Sequence, residues 1–273
     1  MKLVTLVENT SAVEKFACVH GLSFYLELDD QKVLFDLGPD ETIFANAKEA
    51  GINLSEVDLV IISHAHYDHG GALGKFLEMN HKAKVYVREC GFAKYASVST
   101  GNLRFIGLDE SLKNHPQVVL TDEVTVLNDK MRLFSGVTGR KYYSAANQLL
   151  KEERNGELFE DSFSHEQNLV ITEGDKKVLI AGCAHNGIVN ILERFEELES
   201  RMPDVVIGGF HLNPPSVGEP VPEAFLDDFS EQLLSLPVKY YTCHCTGLTP
   251  YGGLKVRMGD RVEYLGAGSV LEV

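Results

Sequence analysis

The sequence predicts one α/β domain in which strands, followed by strand–helix units, occur twice in succession. Three observations predict it. Apolar, β-branched runs of strand length recur along the 273 residues. Stretches of helical length and pattern follow several of these runs, at 40–50, 72–79, 188–198 and 223–236. Six of the ten histidines, His64, His66, His69, His185, His211 and His244, fall just after predicted strands. Strand ends on one rim of a layered sheet converge in space, so residues distant in sequence can share one site.

Composition narrows the class. Hydrophobic residues make up 44% and charged residues 24%, the balance of a soluble globular protein. No apolar run approaches the length that spans a bilayer. The stretch before Glu8 is too short for a signal peptide and reads as a strand. Twenty-five basic against 40 acidic residues give a formal charge of −15, which repels nucleic acid backbones and anionic membranes; neither is expected as a partner. Five cysteines, an odd number in a long chain, argue against a disulfide scaffold and for a reducing, cytoplasmic location.

In chain order, residues 2–7 form a strand that ends at Glu8-Asn9-Thr10-Ser11. Ser11-x-x-Glu14 has the capping-box pattern and predicts a short helix. Asn9 and Thr10 suit a turn, with room for a role lining a pocket. Residues 22–28 and 32–37 read as a hairpin about Asp29-Asp30-Gln31, and the second strand runs into Asp36-Leu37-Gly38. A helix over 40–50 is closed by Gly51, a buried strand covers 57–62, and 72–79 is helical. Residues 84–87 form a strand, 92–99 a helix or a loop, and 118–120, 124–127 and 132–134 short strands. The region of about 86–166, with Arg140, Lys141, Tyr142 and Tyr143, is where a substrate-facing insertion would fit. Strands at 168–172 and 177–181 lead to Gly182-Cys183-Ala184-His185 and then to the helix at 188–198. A strand at 203–207 leads to Gly208-Gly209-Phe210-His211, a proline-rich loop and the helix at 223–236. The strand at 238–242 leads to Cys243-His244-Cys245-Thr246-Gly247, and short strands at 261–264 and 269–273 follow.

The most informative stretch is Ser63-His64-Ala65-His66-Tyr67-Asp68-His69-Gly70-Gly71, with three imidazoles and a carboxylate inside six residues. Neutral imidazole and carboxylate suit zinc and its neighbours in the first transition row. His64 and His66 alternate and can share one ion; Asp68 and His69, further on, can face a second.

This motif resembles the signature of the metallo-β-lactamase superfamily, and with Asp36, His185 and His244 the resemblance covers nearly the whole chain, 1–273. It implies a four-layer αββα sandwich in a single domain. It also implies two divalent ions, zinc by default with manganese or iron open. His64, His66 and His185 would hold one ion, and Asp68, His69 and His244 the other. Asp36 would orient a ligand histidine from behind. The chain departs from many two-metal members at one place: His211 stands where they carry a bridging aspartate, and no acidic residue follows until Glu219. Neutral imidazole bridges poorly. His211 is thus expected to be a terminal ligand or to act on the substrate, unless the second ion is held more weakly.

The segments Val7-Glu8-Asn9-Thr10, Gly182 to His185, Gly208 to His211 and Cys243 to Gly247 look like a narrower branch. That branch is the 7,8-dihydropterin-6-methyl-4-(β-D-ribofuranosyl)aminobenzene 5′-phosphate synthase-like proteins, which also carry histidine at the bridging position. The expected function is a hydrolase that turns a metal-bound hydroxide on a phosphorylated small molecule, a phosphoester or diphosphate. Asp68 would ligate and orient, and His211 would donate a proton or a hydrogen bond. Thr246, Gly247, Arg140 and Lys141, with Asn9 and Thr10, would anchor the substrate. Two alternatives stand beside it: a transferase condensing a dihydropterin diphosphate with an aminobenzene ribosyl phosphate, and a metal-binding protein without catalysis. Cys183, Cys243 and Cys245 are expected as core cysteines, since the neighbours of His244 in an alternating strand point away from it.

Overall fold

The computed structural model of the protein describes residues 1–28, 31–99, 102–213 and 221–273. The first half of the chain lays down β1 (Lys2–Val7), β2 (Ser23–Glu27), β3 (Lys32–Phe35), α1 (Thr42–Glu49), β4 (Leu59–Ile61), the single turn α2 (Tyr67–Gly70), α3 (Leu73–Met79), β5 (Lys84–Arg88), β6 (Lys94–Ser99), β7 (Asn102–Phe105), β8 (Val118–Thr121) and β9 (Val124–Val126). The second half adds β10 (Met131–Phe134), β11 (Leu150–Arg154), β12 (Glu157–Glu160), β13 (Asn168–Glu173), β14 (Lys176–Ile180), α4 (Ile188–Glu199), β15 (Val205–Gly208), α5 (Glu223–Leu234), β16 (Lys239–Thr242), α6 (Leu248–Met258), β17 (Val262–Tyr264) and β18 (Val270–Glu272).

Two seven-stranded sheets dominate, in the orders β18-β1-β2-β3-β4-β5-β8 and β17-β16-β15-β14-β13-β10-β9. Each joins an antiparallel half to a parallel one: β3, β4, β5 and β8 run parallel in the first, and β14, β15, β16 and β17 in the second. Side-chain alternation makes the layers. In β4, Leu59 and Ile61 face the space between the sheets, while Val60 and the following Ile62 face the outer layer. In β14, Val178 and Ile180 point inward, and Leu179 points outward. The inner faces interdigitate through Phe24, Phe35, Ile61, Leu133, Ile171 and Ile207. Outside, α1 and α3 cover the first sheet through Ile43, Ala47, Leu73 and Phe76. Helices α4, α5 and α6 cover the second through Ile191, Phe195, Phe229, Leu233 and Leu254. Each such side chain contributes about 1.5–3 kcal/mol by leaving water, so the sandwich is held by burial on both faces of both sheets. The αββα architecture is therefore the one the sequence predicts.

A third sheet, β12-β11-β6-β7, lies within the 86–166 region, whereas β8, β9 and β10 of that region join the two main sheets. Residues 94–99 are a strand, β6, rather than a helix or loop. The partner that forms its inner pairing, β11, lies some fifty residues on, with Leu150 opposite Ser97, so no local pattern announces it.

The predicted helix at Ser11 does not form. Ser11 Oγ turns onto the Val13 carbonyl, and Ser11 bridges to Ala267, a partner that outcompetes a local cap. Helix α6 was not anticipated, because Pro250, Gly252 and Gly253 weaken the local signal. Its packing explains one of them: a Cβ on Gly253 would lie 2.7 Å from Leu226 Cδ1 of α5. The turn at Asp29-Asp30 and the prolines at 214, 215 and 220 lie outside the described residues. Among the described residues no helix is long and apolar enough to cross a membrane.

Candidate metal site

The carboxyl ends of the parallel strands open on one rim, where open α/β sheets place their ligands. From the first sheet come Asp36 after β3 and the segment 63–69 after β4. From the second come Cys183 and His185 after β14, His211 after β15 and His244 after β16. The backbone bends sharply to deliver them. Asp36, Ala184, His211 and His244 all hold left-handed φ values, between 48° and 63°, that side-chain-bearing residues rarely adopt. Such strain collects where a site over-determines the chain.

The rings of His64, His66 and His185 form a near-equilateral triangle, with centroids 4.6, 4.8 and 4.9 Å apart. All three are buried, and the Nε2 atom of each lacks a hydrogen-bond partner. Buried polar nitrogens are seldom left so. On the other side, His69 Nε2, His244 Nε2 and Asp68 Oδ2 stand 3.3, 3.4 and 3.6 Å from one another. Ligands about 2.0–2.1 Å from a tetrahedral ion are themselves about 3.3–3.4 Å apart. Both donor sets fit a divalent cation.

The far nitrogens are tied down. His64 Nδ1 meets Ser63 Oγ at 2.9 Å, His69 Nδ1 meets Asp36 Oδ2 at 2.6 Å, His185 Nδ1 meets Asn147 Oδ1 at 3.1 Å and His244 Nδ1 meets Asn9 Oδ1 at 2.8 Å. An oxygen at Nδ1 fixes the ring's direction and leaves Nε2 to point inward. Three buried carboxylates hold the loops beneath. Asp36 accepts the Ser63 backbone N–H and hydroxyl, both at 2.7 Å. Glu8 accepts the His244 N–H at 2.6 Å and the Tyr264 hydroxyl at 2.7 Å. Glu166 accepts the His185 and Asn186 N–H groups at 2.6 and 3.0 Å.

Electrostatics agree with this reading. Burial, reinforced by neighbouring rings, holds His64 and His185 well below the ordinary imidazole range. Burial and His165 push His66 down to about 3. All three are therefore neutral, with a lone pair to offer. Burial opposes charge on Asp68, but His69, His20 and His244 outweigh it and keep its pKa well below the usual carboxylate value. Burial likewise opposes protonation of His69, and Asp36 and Asp68 reverse the balance and raise it.

The cavity above these groups has a volume of about 200 Å³. His66, Asp68, His185, His211 and His244 line it, together with His20, Cys183 and Cys245, and Tyr67, Ser97, Arg104, Ile106 and Leu150 close the sides. His211 packs 4.2 Å from the His185 ring, and neither of its ring nitrogens has a protein partner.

The structure brings together all seven predicted ligands and Asp36, but it places the proposed substrate anchors elsewhere. Asn9 supports His244, and Thr10 donates to Glu8 from both its N–H and its hydroxyl, each at 2.6 Å. Thr246 is wholly buried and accepts the Phe210 N–H at 2.8 Å. Gly247 lies against Asn213, and Arg140 against Tyr143 and Asn186, away from the cavity wall.

Sequence reasoning missed several residues. Glu8 was detectable, since an acid directly following a buried strand is unusual. His20, 3.3 Å from Asp68, and the His165–Asp161 pair beside His66 gave no local signal. Cys183 and Cys245, expected in the core, lie on the cavity wall, and Cys183 Sγ is 3.2 Å from His69 Nε2. Only Cys243 is packed between the sheets. The parity argument failed because the chain leaves strand geometry: Cys243 is extended, His244 left-handed and His244–Thr246 a tight turn.

Fold and site together define a metallohydrolase-like αββα protein. The family model described as metallo-beta-lactamase superfamily matches residues 17–140. An uncharacterized protein of Methanocaldococcus jannaschii, MJ0448, is 31% identical over 250 residues, 89% of each chain. The crystal structure of Tm1679, described as a metal-dependent hydrolase of the beta-lactamase superfamily, superposes with a TM-score of 0.82 at 30% identity over 100% of this chain and 99% of its own. The 7,8-dihydropterin-6-methyl-4-(beta-D-ribofuranosyl)-aminobenzene-5′-phosphate synthase of M. jannaschii is 26% identical across 100% of this chain and 96% of its own. The chain belongs to the metallo-β-lactamase superfamily, whose members bind divalent metals.

Proposed function

We propose that the protein is a metal-dependent hydrolase of a phosphorylated small molecule. His64, His66 and His185 would hold one divalent ion, and Asp68, His69 and His244 a second, zinc by default. Bound there, the ions supply a water made acidic enough to ionise near neutral pH and a positive field for a phosphoryl oxygen. The unpartnered, buried Nε2 atoms of the three convergent histidines carry this reading.

The chain's own groups do the rest. Asp36, Asn9, Asn147 and Ser63 hold the imidazoles in one tautomer, so little reorganisation accompanies binding or reaction. Asp68, kept ionised, accepts a hydrogen bond from an incoming water and directs its lone pair. His211, with no protein partner on either ring nitrogen, faces the cavity and donates to the leaving oxygen. Among the described residues Arg104 is the one Lys or Arg on the cavity wall, and its guanidinium is steadied over the Tyr67 ring at 4.8 Å. On a chain of net charge −15, that single cation beside a metal site favours an anionic group such as phosphate.

A second reading, a transferase that displaces pyrophosphate, draws on the full-length similarity to the M. jannaschii synthase. Metal analysis of the purified protein, with turnover of bis-p-nitrophenyl phosphate, separates the two. About two ions per chain, and a turnover abolished by His64→Ala, support hydrolysis. Two ions without turnover by water moves the assignment to the transferase. Failure to bind zinc, manganese or iron refutes both.

A further inference from the structure

Among the described residues, the departure at His211 leaves the two ion positions without a shared carboxylate, and Cys183 lies between them. Its sulfur stands 3.2 Å from His69 Nε2. Two ligands of one ion, one sulfur and one nitrogen, are about 3.1 Å apart at a right angle and about 3.6 Å apart at the tetrahedral angle. The same residue offers a ligand atom to three triads, each spanning no more than 4.8 Å: with His64 and His185, with His69 and His244, and with His211 and Cys245. The first belongs to one proposed ion and the second to the other.

The local chain is built to put the sulfur there. A Cβ on Gly182 would lie 2.2 Å from Ser63 Oγ, so only glycine lets the backbone before Cys183 press against the His64 loop. Cys183 and His185, two residues apart on either side of the left-handed Ala184, both face the cavity. His211, buried and without a partner on either nitrogen, stands on the same wall. A neutral imidazole has one lone pair and cannot serve two ions at once. A thiolate sulfur keeps several, and it is among the strongest ligands for zinc and its borderline neighbours.

We infer that Cys183 is a metal ligand of this site, its thiolate shared between the two ions in place of the missing carboxylate. The proposal rests on the ligand assignment above. Binding releases the thiol proton to solvent, and the thiolate then bonds both ions. His211 is thereby left to the substrate. Cys245, whose Sγ donates to the Cys183 carbonyl at 3.5 Å, stays out of the coordination. The ligand set becomes softer, favouring zinc and cobalt over magnesium or manganese.

Cobalt(II) loading tests it by absorption rather than by turnover. Visible d–d bands report binding to any ligand set; a near-ultraviolet charge-transfer band reports a thiolate. The expected result is both in the wild type, with the charge-transfer band retained in Cys245→Ala and lost in Cys183→Ala. Visible bands without the charge-transfer band, or a charge-transfer band that survives Cys183→Ala, would overturn the assignment and leave the metal reading intact. No visible bands would remove both. X-ray absorption of the zinc-loaded wild type needs no variant: a sulfur shell at about 2.3 Å is expected, and nitrogen and oxygen alone would overturn it.

Discussion

Replacing Asp36 by asparagine keeps the shape of the most connected carboxylate and changes only its chemistry. Asp36 is fully buried; one oxygen accepts the Ser63 N–H, and the other accepts the Ser63 hydroxyl and His69 Nδ1–H. In Asp36→Asn the oxygen stays with the Ser63 N–H, and the new NH₂ meets His69 Nδ1. Two donors cannot face each other, so His69 shifts its proton to Nε2. That is the atom 3.3 Å from His244 Nε2, where a metal needs a lone pair. Binding must then force the original tautomer against an unpaired buried donor, which costs about 1.5–3 kcal/mol when the lost partner was charged. Affinity at the Asp68/His69/His244 position should fall about 10- to 100-fold, the range found for partners behind metal ligands. The His64/His66/His185 position, which Asp36 reaches only through the Ser63 hydroxyl, should lose less. Competition with a chromogenic chelator reads two affinities in the wild type and one weakened affinity in the variant. Wild-type affinity at both positions in a folded Asp36→Asn protein would refute the tautomer argument.

Arg104→Ala should raise KM for a phosphorylated substrate about 10- to 100-fold, the loss of one charge-assisted contact, with kcat and melting temperature little changed because the side chain is exposed. A KM that stays put would remove Arg104 as the anion anchor. Gly182→Ala would set a methyl group 2.2 Å from Ser63 Oγ and disturb His64, so melting by calorimetry should reveal about 1–3 kcal/mol of overpacking together with lost metal binding. In the metal-free protein, His64, His66 and His185 take protons less readily folded than unfolded. Their contribution to stability is whole above pH 6.5 and is lost as pH falls towards about 3, the His66 value, by about 1.4 kcal/mol per pH unit for each titrating ring. Urea midpoints that stay level between pH 6.5 and 4 would contradict this, and zinc should lower the onset by holding the rings deprotonated.

Much of the molecule is legible in its sequence. The His64 to His69 motif, the isolated His185, His211 and His244, and Asp36 could be read because each follows a strong strand signal. Metal chemistry also restricts residue types far more than packing does. What escaped was decided by partners distant in sequence. Strand β6 pairs with β11, with Tyr95 opposite Glu152, 57 residues on; Glu8 reaches His244 across 236 residues, and Glu166 reaches His185 across 19. The anchors chosen for their nearness to a ligand, Thr10 and Thr246, proved to be internal braces, since proximity along a turn does not say which way a hydroxyl points.

The sequence by itself determined the layered fold and the list of candidate metal ligands, because burial periodicity and ligand type are local properties. Only the tertiary structure decided the geometry between them. It set which oxygen fixes each ring, which nitrogens are left unpaired, that Arg104 rather than Arg140 faces the cavity, and that Cys183 lies among the histidines. Those facts depend on left-handed turns at Asp36, Ala184, His211 and His244, where the chain abandons the strand alternation that a sequence reader must assume. The surrounding fold, rather than the residues' own preferences, holds those turns in place.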